Sequence, residues 1–290
     1  MTSYDYPEHY ADNIYDAIAL AEELKESGKY DLFRGQTECF QIIPSASRDG
    51  VNPAAVIEKL NEFANWVHDT HELASLQNNI PAITAVAQHY GLKTPYLDFT
   101  HSPEIAGFFA TDGSKVGDTG TIICINKERF QNSWADLNKS YLEKEGSLLT
   151  DIIEVDVKNL WRLQAQEGVF LDCRVDPNML EMFSHFLHIY FPQEDNQKII
   201  DSSNIYPSEK SHLEVYLDKY FLIDSYPQRE ADLLKIFGTK IEVQRRSIED
   251  DLAPYFINES LPDIHKSWTC LLYTSPSPRD QRGSRMPSSA

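Results

Sequence analysis

The run Thr121-Ile122-Ile123-Cys124-Ile125 constrains this chain more than any other stretch. A strand that alternates polar and apolar residues can leave one face in water, but an apolar, β-branched run without alternation is covered on both. Any fold for the chain therefore needs layers on either side of that strand. Other segments read as helices. Ile14, Ala17, Ile18, Ala21 and Leu24 recur at helical spacing, with Gly28 just beyond them to cap the end. Val56, Leu60, Phe63, Ala64 and Val67 follow Asn52-Pro53, an N-cap and first-turn pair. The apolar segment Ile80 to Tyr90 closes at Gly91, and Ser102-Pro103-Glu104 opens a helix carrying Ile105, Ala106, Phe108 and Phe109.

Between these lie the strands. Tyr30 to Arg34 reads as a short strand ending in Gly35, and Thr94 to Thr100 as an extended segment. Ile153, Val155 and Val157 alternate with Glu154 and Asp156, which predicts a half-exposed strand with the aliphatic residues inward. Val169 to Val175 and Phe186 to Phe191 are two more, the second stopped by Pro192. Leu213, Leu217 and Tyr220, then Leu233, Leu234 and Phe237, belong to late helices. Strands and helices mix without strict alternation. The expected fold is therefore α+β, a mixed or antiparallel sheet with helices packed on it in a single main domain, rather than a doubly wound parallel sheet.

Charge narrows the partners. Forty-five acidic residues against twenty-six basic ones give a net charge of -19. Such a field repels phosphate backbones, and the short basic cluster Arg245-Arg246 does little to offset it, so non-specific nucleic-acid binding is not expected. No stretch approaches a membrane span. Cys39, Cys124 and Cys173 form no CxxC pair, which suits a reducing, cytoplasmic setting. The last stretch, Cys270 to Ala290, reads differently. Cys270 to Asp280 and Ser284 to Ala290 back-translate into two adjoining segments of a sequencing-library adapter, so 270–290 is expected to be non-native and the chain truncated near Thr269. A Ser/Pro-rich disordered tail is the alternative.

Several short motifs follow one another in order: Phe33-Arg34-Gly35-Gln36, Ile43-Pro44-Ser45, Gln88-His89-Tyr90-Gly91, Leu97-Asp98-Phe99-Thr100 and Phe108-Phe109-Ala110. Together they resemble the FRG-domain family. Arg162 to Phe170 is similar to the family's later Arg…Gln-x-Gly-x-Phe element, and Ile205 to Gly238 to its closing helices. The chain departs from the family at Pro95, where the family usually carries an arginine; Lys93 lies nearby. The resemblance implies an FRG-like domain (28–240); the readings above add an N-terminal helical segment (1–27), a C-terminal extension (241–269) and the adapter-derived tail (270–290).

The FRG domain is named for a motif rather than a reaction, so the chemistry must come from the residues. Arg34 at a strand end beside Gly35 sets a guanidinium fork next to backbone that can be closely approached, which suits a phosphate or carboxylate. Pairing with Asp98 is the plainer alternative. Asp98 and Thr100 sit at a strand-to-helix turn whose amides could receive an anion, or simply pin and cap it. Gln36, His89 and Tyr90 complete the candidate ligand contacts, a His-Tyr packing pair being the alternative for the last two. Gln166 fits the family pattern, and Glu167 beside it is a carboxylate able to act as a base, or a solvated side chain. His68 with His71, and His185 with His188, lack further ligands at metal spacing, so no metal site is expected.

Two functions fit. In one, Arg34, Thr100, Gln166 and Glu167 form the catalytic set, in an element order similar to ADP-ribosyltransferases, with NAD as cofactor. The chain would then be an NAD-using enzyme or a toxin or defence effector. In the other it is a non-catalytic module that senses a small ligand or binds a partner protein or domain. A purely structural role for the motif stands beside both.

Overall fold

Non-alternating strands force a layered fold, and the sheet and its covers follow from that requirement. The computed structural model describes residues 7–155, 159–195, 197–218 and 220–221. Within them the strands are β1 (Glu8–Tyr10), β2 (Leu32–Gln36), β3 (Tyr96–Thr100), β4 (Thr119–Ile125), β5 (Thr150–Glu154), β6 (Gly168–Cys173) and β7 (Leu187–Pro192). They form one sheet in the order β1-β7-β4-β2-β3-β6-β5. β1 runs parallel to β7 and every other pairing is antiparallel. This is the mixed α+β architecture expected from the pattern.

β4 lies inside the sheet, between β2 and β7. Ile122 and Cys124 face α1 (Ile14–Glu26) and, across Phe33 of β2, α4 (Pro103–Thr111). Ile123 and Ile125 face the other way, into a cluster with Leu32, Phe130, Trp134 and Phe186. The four isoleucine and cysteine side chains are at most 1% exposed, as a strand covered on both faces requires. The helix starts follow their caps. The side-chain oxygens of Asn13, Ser102 and, for α2 (Pro53–Asp69), Asn52 each accept a first-turn amide. α3 (Ile80–His89) starts in the same way on Asn79.

Two helices of eight residues or more have no counterpart in the sequence reading. α5 (Lys127–Glu145) buries only Phe130 and Trp134, four apart amid charged residues, with Asn126 as N-cap and Gly146 closing it at φ 71°. Its stripe is too narrow to announce a helix by hydrophobicity; the caps carried the signal. α7 (Pro177–Ser184) starts on Asp176-Pro177 and packs Leu180 into the same cluster.

β5 also differs from expectation. The strand comes earlier, and its parity is reversed: Thr150 and Ile152 are buried while Ile153 is only partly covered. Ile152 lies opposite Leu171 of β6, on the face that holds Phe130 and Trp134, so the α5 side of the sheet decides which residues turn inward. Val155 lies just past the strand, and Val157 falls outside the described residues. β1 is three residues long, too short to be read from its pattern.

The sheet and these helices belong to one compact unit, residues 1–157 with 162–207. The described residues of a second unit are 159–161, 208–218 and 220–221. In it, residues 212–218 are helical. Ser211 and Glu214 cap that helix reciprocally, the Ser211 amide donating to the Glu214 carboxylate (3.0 Å) and the Glu214 amide to the Ser211 hydroxyl (3.2 Å). The expected helix at Leu233 to Phe237, the cluster Arg245-Arg246, the extension 241–269 and the tail 270–290 all lie outside the described residues.

Candidate functional site

The strand carrying Arg34 and the strand carrying Asp98 are neighbours, paired through Phe33 opposite Thr100. One step beyond that pairing the Arg34 side chain crosses to β3. Its Nη1 donates to the Asp98 carbonyl oxygen at 2.7 Å and lies 3.8 Å from a carboxylate oxygen of the same residue. The two side chains are 18% and 25% exposed, so the pair is sheltered but not sealed from water. The amide of Gln88, at the end of α3, donates to the other Asp98 oxygen at 2.7 Å.

The chain of contacts continues from there. Thr94 donates its hydroxyl to the Gln88 carbonyl oxygen, and that hydroxyl also accepts the Tyr96 amide at 3.1 Å. The Thr94 amide donates to the Ser45 hydroxyl at 3.0 Å, and the Ala46 amide donates to the Thr94 carbonyl at 3.1 Å. Arg34, Asp98, Gln88, Thr94 and Ser45 thus form one polar chain joining β2, β3, α3 and the 45–47 turn. Buried polar groups gain most when each finds a partner, and here the amide of Gln88 bridges two that otherwise would not meet. Sequence reasoning named Gln88 as part of a motif and Thr94 as the start of an extended segment, but assigned neither to the candidate site. The available sign was a polar residue ending a helix whose inward face is otherwise alanine, isoleucine and valine.

Gly35 has a different use from the one expected. A Cβ there would drive into the Ala106 carbonyl oxygen and the Ala110 amide nitrogen, so the bare backbone admits α4 rather than a ligand. Gln36, 9% exposed, lies opposite Thr121 of β4. His89 and Tyr90, both partly buried, meet edge to face with ring centroids 5.5 Å apart.

Thr100 is buried, and its hydroxyl accepts the Ser102 amide at 3.2 Å, closing the turn into α4. Beyond it the sequence element around Gln166 comes alongside, because Thr100 pairs with Gly168 of β6. The Gln166 amide, 6% exposed, donates to the Ile205 carbonyl at 3.5 Å. That bond holds the segment ending α8 (Ser202–Ile205). Arg162, in α6 (Trp161–Ala165), stacks over the Tyr206 ring at 4.7 Å, and Tyr206 in turn meets Phe108 and Phe109 edge to face. Glu167 occupies the tight turn between α6 and β6 at φ 45°, with its side chain exposed and its carbonyl accepting the His101 amide at 3.4 Å.

The structure thus brings Arg34 and Asp98 into contact and sets Thr100 and Gln166 to separate hydrogen bonds at the adjoining sheet end. Leu32, Phe99, Ile125 and Ile152 pack together on this side of the sheet with no space between them for a water molecule. Among the described residues, no three or more histidine, cysteine, aspartate or glutamate side chains gather as a metal site. No helix there is long and apolar enough to cross a membrane.

Fold and polar chain together define an α+β domain whose early strands and helices are tied by one arginine-centred network. Residues 29–119 match the FRG domain family, a span that runs from the start of β2 to the start of β4 and contains every member of that network. No curated protein and no solved structure gives a significant match.

Proposed function

We propose that this chain is a non-catalytic recognition module. The observation that carries the reading is how the candidate catalytic groups are used. Arg34 bonds the Asp98 carbonyl, Thr100 accepts an amide of its own turn, and Gln166 bonds the Ile205 carbonyl. The bonds of Arg34 and Gln166 each tie two segments together and that of Thr100 fixes its own turn, uses of side chains that favour rigidity. Transition-state stabilisation instead asks for donors and a carboxylate aimed at one reacting centre. Glu167, the carboxylate an NAD-glycosyl reaction would employ, sits exposed on a left-handed turn. The FRG-like domain then acts as a scaffold presenting surfaces, and its extent beyond residue 119 to about 240 belongs to the same proposal, supported by Phe170 lying opposite Asp98 in β6, Gln166 bonding the Ile205 carbonyl and Arg162 stacking on Tyr206.

The test is direct. Purified chain incubated with NAD should release nicotinamide no faster than protein-free buffer, and Glu167→Gln should not change that rate. Release above buffer that Glu167→Gln abolishes would overturn the proposal in favour of the ADP-ribosyltransferase reading.

A further inference from the structure

The sheet face that carries Arg34 also carries polar and aromatic side chains on β7 and β1. Register places Glu8, His188, Ile123 and Arg34 side by side across four strands, and Tyr10, Tyr190, Thr121 and Gln36 in the row two residues along. At the Arg34 end this face is covered: the Cys39 thiol lies 3.6 Å from the Thr121 hydroxyl, and Gln36 and Thr121 are buried. At the β1 end it is open, and Tyr10 is 77% exposed.

The rings there form a ladder. Phe186 meets His188 at 6.4 Å between centroids, His188 stacks on Tyr190 at 5.8 Å and 26°, and Tyr190 lies 5.3 Å from Tyr10 at 33°. The ladder ends on an acid, because the Tyr10 hydroxyl donates to the Glu8 carboxylate at 3.1 Å. Glu181 is the other acid acting on Tyr190. Burial lowers the His188 pKa, with Glu8 opposing, so the imidazole is neutral at pH 7 and adds no positive charge to the face. Stacked π faces beside carboxylates, on a chain of net charge -19, complement a planar cation.

We infer that the Tyr10–Tyr190–His188 ladder and Glu8 form a docking surface for an arginine-bearing segment of a partner protein, a guanidinium stacking on the tyrosines with its charge against Glu8. This surface is separate from the arginine-centred polar chain and stands whether or not NAD is turned over. Arginine is favoured over lysine because a guanidinium stacks on a ring while pairing edge-on with a carboxylate.

The probe is a fluorescein-labelled oligo-arginine peptide titrated with the full chain and read by anisotropy at ~0.15 M salt, where long-range attraction is screened. Tyr10→Leu should weaken binding by about three- to thirtyfold, the range expected for loss of a cation–π contact, and Tyr10→Phe should keep most of it. Glu8→Gln should weaken it in the same direction, and Tyr15→Leu, an exposed tyrosine on α1, should leave it unchanged. Each variant's urea midpoint establishes that it is folded. Equal affinity for wild type and folded Tyr10→Leu would overturn the inference, since it would reduce the attraction to net charge. Absence of binding by wild type at ~1 mM chain would overturn it as well.

Discussion

Gln88 does more for this domain than its modest place at a helix end suggests. Its amide group faces a carboxylate on one side and a hydroxyl on the other, and both are sheltered from water. Replacing it by leucine keeps the volume but leaves both groups without that partner, which costs about 1–3 kcal/mol. Urea unfolding of Gln88→Leu should show that loss as a lower midpoint with an unchanged slope; an unchanged midpoint would mean that water replaces the amide without cost. A second residue contributes to the response to pH. Burial raises the Asp172 carboxyl pKa, Arg174 opposes the rise, and Asp151, directly across in β5, adds to it. The folded chain then holds that proton more tightly than the unfolded one. Stability falls as pH climbs from the ordinary aspartate range through the raised value. Asp172→Asn should therefore unfold at higher urea than wild type at neutral pH and converge with it below about pH 4, where the carboxyl is protonated in the unfolded chain as well. A variant weaker than wild type at neutral pH would show that the Arg174 pairing outweighs burial.

At the scale of elements, legibility in the sequence followed the strength of the local signal. β4 was readable from its continuous apolar run, and α1 and α4 because each combines an apolar pattern with a cap; the structure uses those same residues to build both layers. α5 was not, because a helix lying mostly in water needs only two large anchors. Trp134 is one of them, fully buried, with its indole nitrogen donating to the Ser184 hydroxyl at 3.3 Å. Trp134→Ala should cost about 3–5 kcal/mol in a thermal or urea melt, far beyond what an exposed-looking helix would suggest. The parity of β5 was unreadable for another reason. Ile152 and Ile153 are chemically alike, and only the layer over β6 chooses between them. Of the candidate site, the meeting of Arg34 with Asp98 was legible as soon as their strands were taken as neighbours, whereas the Gln88 bridge and the packing duty of Gly35 depend on where α3 and α4 land. Gly35→Ala tests the latter. Forcing α4 away from β2 should cost about 1–3 kcal/mol or more, and an unaffected melt would mean that α4 shifts freely.

For the molecule as a whole, the account rests on one proposed division of labour: the arginine-centred chain, which lies within the residues that match the FRG domain family, holds the domain together, and recognition is assigned to surfaces that the scaffold presents. That assigns Arg34 to stability, although an arginine in a sheltered strand position is also what an anion-binding site would use. The urea midpoint of Arg34→Ala separates the two most directly. The account predicts a fall equivalent to about 1–3 kcal/mol, because the Asp98 carbonyl and carboxylate lose a charged donor. A midpoint indistinguishable from wild type would contradict it and return Arg34 to a ligand.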